Sequence, residues 1–265
     1  MGVTMRLFGA LVAVLLLAGA CKSTPAPVVA PPSGTHEIVF QMQELGGLLP
    51  PGGRLKMPRI SIYGGGLLVA HAPSAEPPAV PRATQRRLTL AGVRKVAQAA
   101  ADAGLSAGTD FGTPQITDAP VTVFTLVSDG KPQVTNVIAP NVAGAGDLTG
   151  AQVAARDRLR AFTKQLADLD SWLGKEIAAG SEPYTYTAMA VFAMPQEGSA
   201  ATRDWPLGDL SAGTCVTVTG PELDKVRGAA EPTSSRDLWR AGDSTYFLVF
   251  RPLLPGETQC PLQAR

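Results

Sequence analysis

The stretch "PVTVFTLVSDGKPQVTNVIA", Pro120 to Ala139, decides the fold class. Two runs rich in β-branched residues flank Asp129-Gly130, a pair that favours the turn whose twist suits antiparallel strands. The stretch is therefore predicted to be a hairpin. Pro132 has no amide proton to give to a ladder, so the return strand is expected at a sheet edge.

The neighbouring segments extend the same reading. In "HEIVFQMQ", Ile38, Phe40 and Met42 alternate with Glu37, Gln41 and Gln43, the pattern of a half-buried strand. "RISIYGGGLLVAHA" reads as two strands joined by a turn at Gly64, Gly65 and Gly66. No helical pattern follows those glycines, so they serve a turn and not an anion-binding loop. After the proline-rich "APSAEPPAVPRAT", Thr89 is placed to cap "LAGVRKVAQAAADAG". Val93, Val96 and Ala100 share one face of that helix, and Gly104 ends it.

A longer helix is expected from Ala151 to Leu173. Leu159, Phe162, Leu166, Leu169 and Leu173 form one apolar stripe, and Gly174 suits the C-terminal cap. Arg156, Arg158, Lys164 and Asp168 occupy polar positions away from that stripe or flanking it. "YTYTAMAVFAMP", "TCVTVTG" and "STYFLVFRPLL" then read as strands, with "PELDKVRGAA" as a short helix. Strands arrive in clusters and not in regular βαβ alternation. The expected fold is α+β, mainly antiparallel sheet with two principal helices packed on it. The strings "GVRKVAQAA" and "ELDKVRGAA" echo one another and leave a weak internal duplication open. In that case residues 36–147 and 182–265 would be two lobes joined by the long helix.

The N-terminus reads as an address. Arg6 precedes an apolar run from Leu7 to Ala20, too short to span ~30 Å of hydrocarbon but suited to a signal-peptide core. Ala18-Gly19-Ala20 would also satisfy an ordinary signal peptidase. Leu17-Ala18-Gly19-Ala20-Cys21, however, resembles the lipobox of bacterial lipoproteins. That resemblance implies a diacylglyceryl (and palmitate-type) modification of the Cys21 sulfur, removal of residues 1–20, and residence at the outer face of the cytoplasmic membrane. Residues 21–35 would be a proline-rich disordered linker, and residues 36–265 the globular domain. Of the three cysteines, Cys215 opens a late strand and Cys260 follows another. A disulfide between them is expected, leaving Cys21 as the odd thiol.

Removing Arg6 leaves equal numbers of basic and acidic residues. A neutral mature domain carries neither the basic footprint of a nucleic-acid binder nor a polybasic lipid-binding patch. Anchoring would rest on acyl chains, each buried CH₂ contributing ~0.8 kcal/mol.

The search for chemistry yields no catalytic, metal or cofactor residues. "GLSAG" matches a nucleophile-elbow string, but Ser106 follows a helix and both histidines precede it, against the order of that hydrolase fold. His36 and His71 are expected at the surface, without metal-ligand spacing. Asp110 and Asp118 are expected to cap turns. Asp168 and Asp170 lie two apart on a helix and point in different directions, a poor calcium pair. "GAGDLTG", Gly144 to Gly150, lacks phosphate-loop spacing. Trp172, Trp205 and Trp239 are expected to serve separate core or rim positions.

The succession "HEIVFQ", "ISIYGGG", "RRLTLAGVRKVAQAA" and "ITDAPVTVFTL" is similar to secreted or lipid-anchored proteins of high-GC Gram-positive bacteria. It implies a compartment and no reaction. The resulting expectation is a non-enzymatic envelope lipoprotein that binds a protein, wall polymer or small ligand. A hydrolase with an unconventional site around His36 and His71, or a solute-binding transporter component, are the alternatives.

Overall fold

The structure, a computed structural model, describes residues 29–49, 52–71, 74–106, 108–142, 147–197, 201 and 203–262. Cys21 and residues 1–20, where a signal segment is expected, lie outside the described residues, as do Gly144 and Gly146.

Two sheets form the α+β architecture. The first contains β1 (Ile38–Leu45), β2 (Ile60–Tyr63), β3 (Leu67–His71), β4 (Ala83–Leu88), β5 (Val121–Ser128), β6 (Lys131–Ile138) and β7 (Ile177–Pro183). Their order is β6-β5-β1-β2-β3-β4-β7, and every neighbouring pair is antiparallel. The second contains β8 (Ala188–Pro195), β9 (Arg203–Asp204), β10 (Cys215–Thr219), β11 (Leu238–Ala241) and β12 (Ser244–Pro252), ordered β10-β8-β12-β11-β9. The helices are α1 (Leu90–Ala100), α2 (Gly150–Ala167), α3 (Leu169–Leu173) and α4 (Gly220–Ala230).

Local chemistry explains most of these elements. The β5–β6 turn holds Asp129 at φ 51 and Gly130 at φ 70, the two positive values this tight turn requires. β6 is an outer strand, with Pro132 opposite Val127, so the missing amide leaves no central ladder broken. Thr89 caps α1 by accepting from the Gly92 amide at 3.0 Å, and the helix closes through a π-type turn, Ala101–Leu105. Thr149 and Gln152 form a reciprocal capping box at the start of α2.

The stripe on α2 buries Leu159, Phe162 and Leu166 against the first sheet, where Phe162 meets Phe40 edge-on at 5.3 Å. The helix does not run unbroken to Leu173. Asp168 leaves helical geometry at φ −128 and its carboxylate accepts from the Ser171 amide, so it starts α3 instead of extending α2. Nor does the long helix join two lobes. It belongs to the first core, and β7 returns to the edge of the first sheet beside β4. The echo between the halves stops short of topology. The strand directly after α1, β5, pairs with β1, whereas β8 pairs with β12, the second strand after α4.

Arg156 was expected at a polar position, yet it is 1 % exposed. Its guanidinium donates to four backbone carbonyls, those of Phe111, Gly112, Ile138 and Ala139. Residues 29–35, assigned by composition to the linker, are packed on the domain. Val29 is 6 % exposed within the first core, and its amide donates to the Gln98 side chain at 3.1 Å. Ala30 accepts from the Asp129 amide. Gly64 lies so close to the Pro32 carbonyl that a Cβ there would sit 2.4 Å away, which explains glycine at that turn position. The folded unit therefore includes residues 29–35 and does not start at 36.

Between the sheets runs the C-terminal segment. Leu254 packs with Tyr63 and Val69 of the first sheet, while Leu253 packs with Ala190 and Phe192 of the second. The predicted disulfide is present: Cys215 and Cys260 are bonded, with Cα atoms 6.1 Å apart. Arg251, 4 % exposed, holds Glu257 through two hydrogen bonds at 2.6 and 2.8 Å. Glu257 also accepts from the Leu254 amide at 2.7 Å. This tail bolts the two sheets together.

Candidate functional site: a cleft at one end of the first sheet

One end of the first sheet carries a cleft of about 1600 Å³. It lies between the C-terminal part of α2 and the first sheet and continues toward β12. Its floor is apolar, built from Met42, Ile60, Leu68, Phe124 and Leu166. Antiparallel register gathers these residues: Met42 lies opposite both Ile60 and Phe124, and Ile62 opposite Leu68. Side chains alternate across each strand, so the residues of one face come from β1, β2, β3 and β5 together.

The rim is polar and richer in cations. Lys56, Arg59, Arg82 and Lys164 line it and form no ion pair among the described residues. Two further rim arginines are engaged, Arg86 with Asp170 at 2.7 Å and Arg160 with Asp157. Glu44 and Glu76 are the remaining rim carboxylates besides Asp168 and Asp170. His71 is also on the rim, with Nδ1 3.0 Å from the Arg82 carbonyl oxygen.

The structure separates the residues that a hydrolase would need together. His36 precedes the start of β1, whereas His71 ends β3 at the other end of the same sheet. A strand length of roughly 20 Å lies between them. Ser106 follows the π-type turn, and Gly104 at φ 95 ends the helix before it. Asp110 accepts from the Gly112 amide and the Gln152 side chain, both at 2.8 Å, and these bonds lower its pKa. It is a turn cap, as expected. Asp118 adopts φ 52, also within a turn. Asp168 caps α3 and Asp170 pairs with Arg86. Among the described residues no group of three or more histidines, cysteines or carboxylates could hold a metal ion. No described helix is long and apolar enough to cross a membrane.

The tryptophans divide between two cores. Trp172 stands edge-on to Phe162 in the first, and Trp205 and Trp239 surround Phe250 in the second. They make no common platform.

Sequence reasoning did not find the cleft. Its residues come from the ends of several strands and from α2, and each floor residue looks like ordinary core in its own segment. No protein family, curated protein or solved structure matches this chain.

Proposed function

We propose that this protein is an extracytoplasmic lipoprotein, anchored through Cys21, whose cleft binds an amphiphile with an extended apolar body and an anionic end. The single observation that carries the binding reading is the apolar floor beneath a rim holding Lys56, Arg59, Arg82 and Lys164. Each CH₂ that leaves water for the floor contributes ~0.8 kcal/mol, so a chain of several methylenes supplies the affinity. The rim cations favour an anion at the mouth and fix which way the ligand lies.

Three features support the anchor. The lipobox-like stretch ends on Cys21, the apolar run before it has signal-peptide length, and the Cys215–Cys260 bond leaves Cys21 as the unpaired thiol. A structural disulfide also suits an oxidising compartment. Binding is favoured because, among the described residues, the rim histidine His71 has the Arg82 carbonyl as its ring partner and no hydroxyl or carboxylate.

Titration of the mature protein with a fluorescent long-chain fatty acid tests the ligand. Saturable binding that unlabelled fatty acid displaces is expected, and a linear, undisplaceable signal would exclude it. Intact-mass measurement tests the anchor, together with Cys21→Ser. The native chain should carry acyl mass and sediment with membranes, while the variant should move to the soluble fraction.

A further inference from the structure

The two ends of the first sheet differ in what they carry. At one end lie the Asp129-Gly130 turn, the Gly64–Gly66 turn and the first residues of β1. Residues 29–35 run across this end: Ala30 accepts from Asp129, Pro32 abuts Gly64, and Thr35 abuts Gly65. The Glu37 carbonyl then accepts from the Gly64 amide at 2.9 Å. At the opposite end lie Arg59, Ile60, His71 and Thr122, and this is where the cleft opens. β5 and β6 each span the full distance, eight residues or ~24 Å.

Only eight peptide units separate Cys21 from Val29. Fully extended they reach at most ~29 Å, and in polyproline geometry ~25 Å. The packed 29–35 segment thus shortens the tether from the ~40 Å that fourteen free linker residues would allow.

We infer that the end of the domain bearing Val29 and the Asp129-Gly130 turn faces the bilayer, and that the cleft opens away from it. This rests on the anchor reading above and not on the ligand reading. The tether is attached at the turn end and is about as long as the sheet is tall. Inverting the domain would stretch the chain along the whole sheet, whereas the upright pose leaves it slack. Asp129 and Lys131 beside the turn carry opposite charges and offset each other. The consequence is functional: ligands reach the cleft from the wall side, and a lipid must first leave the bilayer to enter.

The test uses full-length acylated protein in liposomes that carry an energy-transfer acceptor on the lipid headgroups. A donor dye is placed at Lys131→Cys or, in a second sample, at Arg82→Cys on the cleft rim. About twofold greater transfer from position 131 is expected, given the ~24 Å offset. Inserting about 20 Gly/Ser residues between 28 and 29 leaves the folded part unchanged and should equalise the two positions. Equal or reversed transfer in protein whose acyl mass is verified overturns the orientation alone. Absence of acyl mass, with no flotation on liposomes, overturns the anchor reading and the orientation with it.

Discussion

The Arg156 guanidinium donates to the Ala139 carbonyl at 2.8 Å, and Ala139 itself is held in the left-handed backbone region at φ 45. The same guanidinium serves Phe111, Gly112 and Ile138, so one side chain on α2 ties the end of β6 to the loop at Phe111–Gly112. No carboxylate pairs with it among the described residues. Burial, and then the nearby Arg160 charge, lower its pKa.

Removing that group strands several buried carbonyls at once. Arg156→Met should cost about 3 kcal/mol in urea unfolding, because each unpartnered buried acceptor carries a penalty of ~1–3 kcal/mol and water relieves part of it. Arg156→Lys keeps the charge but not the planar fork, and should recover less than half. A loss below about 0.5 kcal/mol for Arg156→Met, the range of ordinary surface changes, would refute this role.

The Cys215–Cys260 bond closes a separation of 45 residues and holds the tail between the sheets. Replacing both cysteines by alanine should lower stability by roughly 2–4 kcal/mol. Limited proteolysis should then cut first within residues 253–262. Unchanged cleavage in the double variant would show that Arg251–Glu257 and the leucine contacts hold the tail unaided.

Alkaline unfolding should be governed by two tyrosines beside that tail. The Tyr63 hydroxyl is buried beside Ser61, and burial followed by the Glu257 charge pushes its pKa well above the ordinary value of 10.0. Tyr184 is pushed up to about 12, also chiefly by burial. Raised folded-state values mean that the native chain keeps protons the unfolded chain has lost. The associated stability is complete below pH 10.0 and declines as pH rises toward 12. Each such group contributes a slope of ~1.4 kcal/mol per pH unit in that window. Tyr63→Phe should reduce the slope and change neutral-pH stability by under about 1 kcal/mol, since the buried hydroxyl it removes has only a poorly aligned partner in Ser61. A steeper alkaline decline in Tyr63→Phe would contradict this assignment.

Ala70 is half-buried on the cleft wall. Ala70→Trp should fill the cleft and weaken fatty-acid binding at least about tenfold, the equivalent of ~1.4 kcal/mol. Arg59→Ala should weaken it less and reduce its salt dependence. Full binding by Ala70→Trp would move the ligand elsewhere.

The outer strand β6 exposes Val134, at 61 %. Lys131 and Pro132 guard its first half against pairing with another chain. Pro132→Val should therefore increase self-association in light scattering, and Val134→Lys should suppress it with under about 0.5 kcal/mol change in stability.

How much of this was legible differs element by element. The β5–β6 hairpin, the Gly64–Gly66 turn, the cap at Thr89 and the α2 stripe each carry their cause within a few residues, as turn chemistry or apolar period. The strands β4, "ATQRRL", and β7, "IAAGSEP", carry none. Their side chains are mostly half-exposed or exposed, so neither needs an apolar alternation, and each exists because a neighbouring strand offers its backbone hydrogen bonds.

The sequence by itself determined the antiparallel α+β character and the disulfide partners, because those follow from local patterns and residue counts. Only the tertiary structure decided that residues 29–35 belong to the domain, that Arg156 is buried, that the tail bolts two sheets, and where the cleft opens. Each of those depends on contacts between segments far apart in the chain. A proline-rich stretch or a helical arginine reads as solvated until a distant backbone supplies its partners.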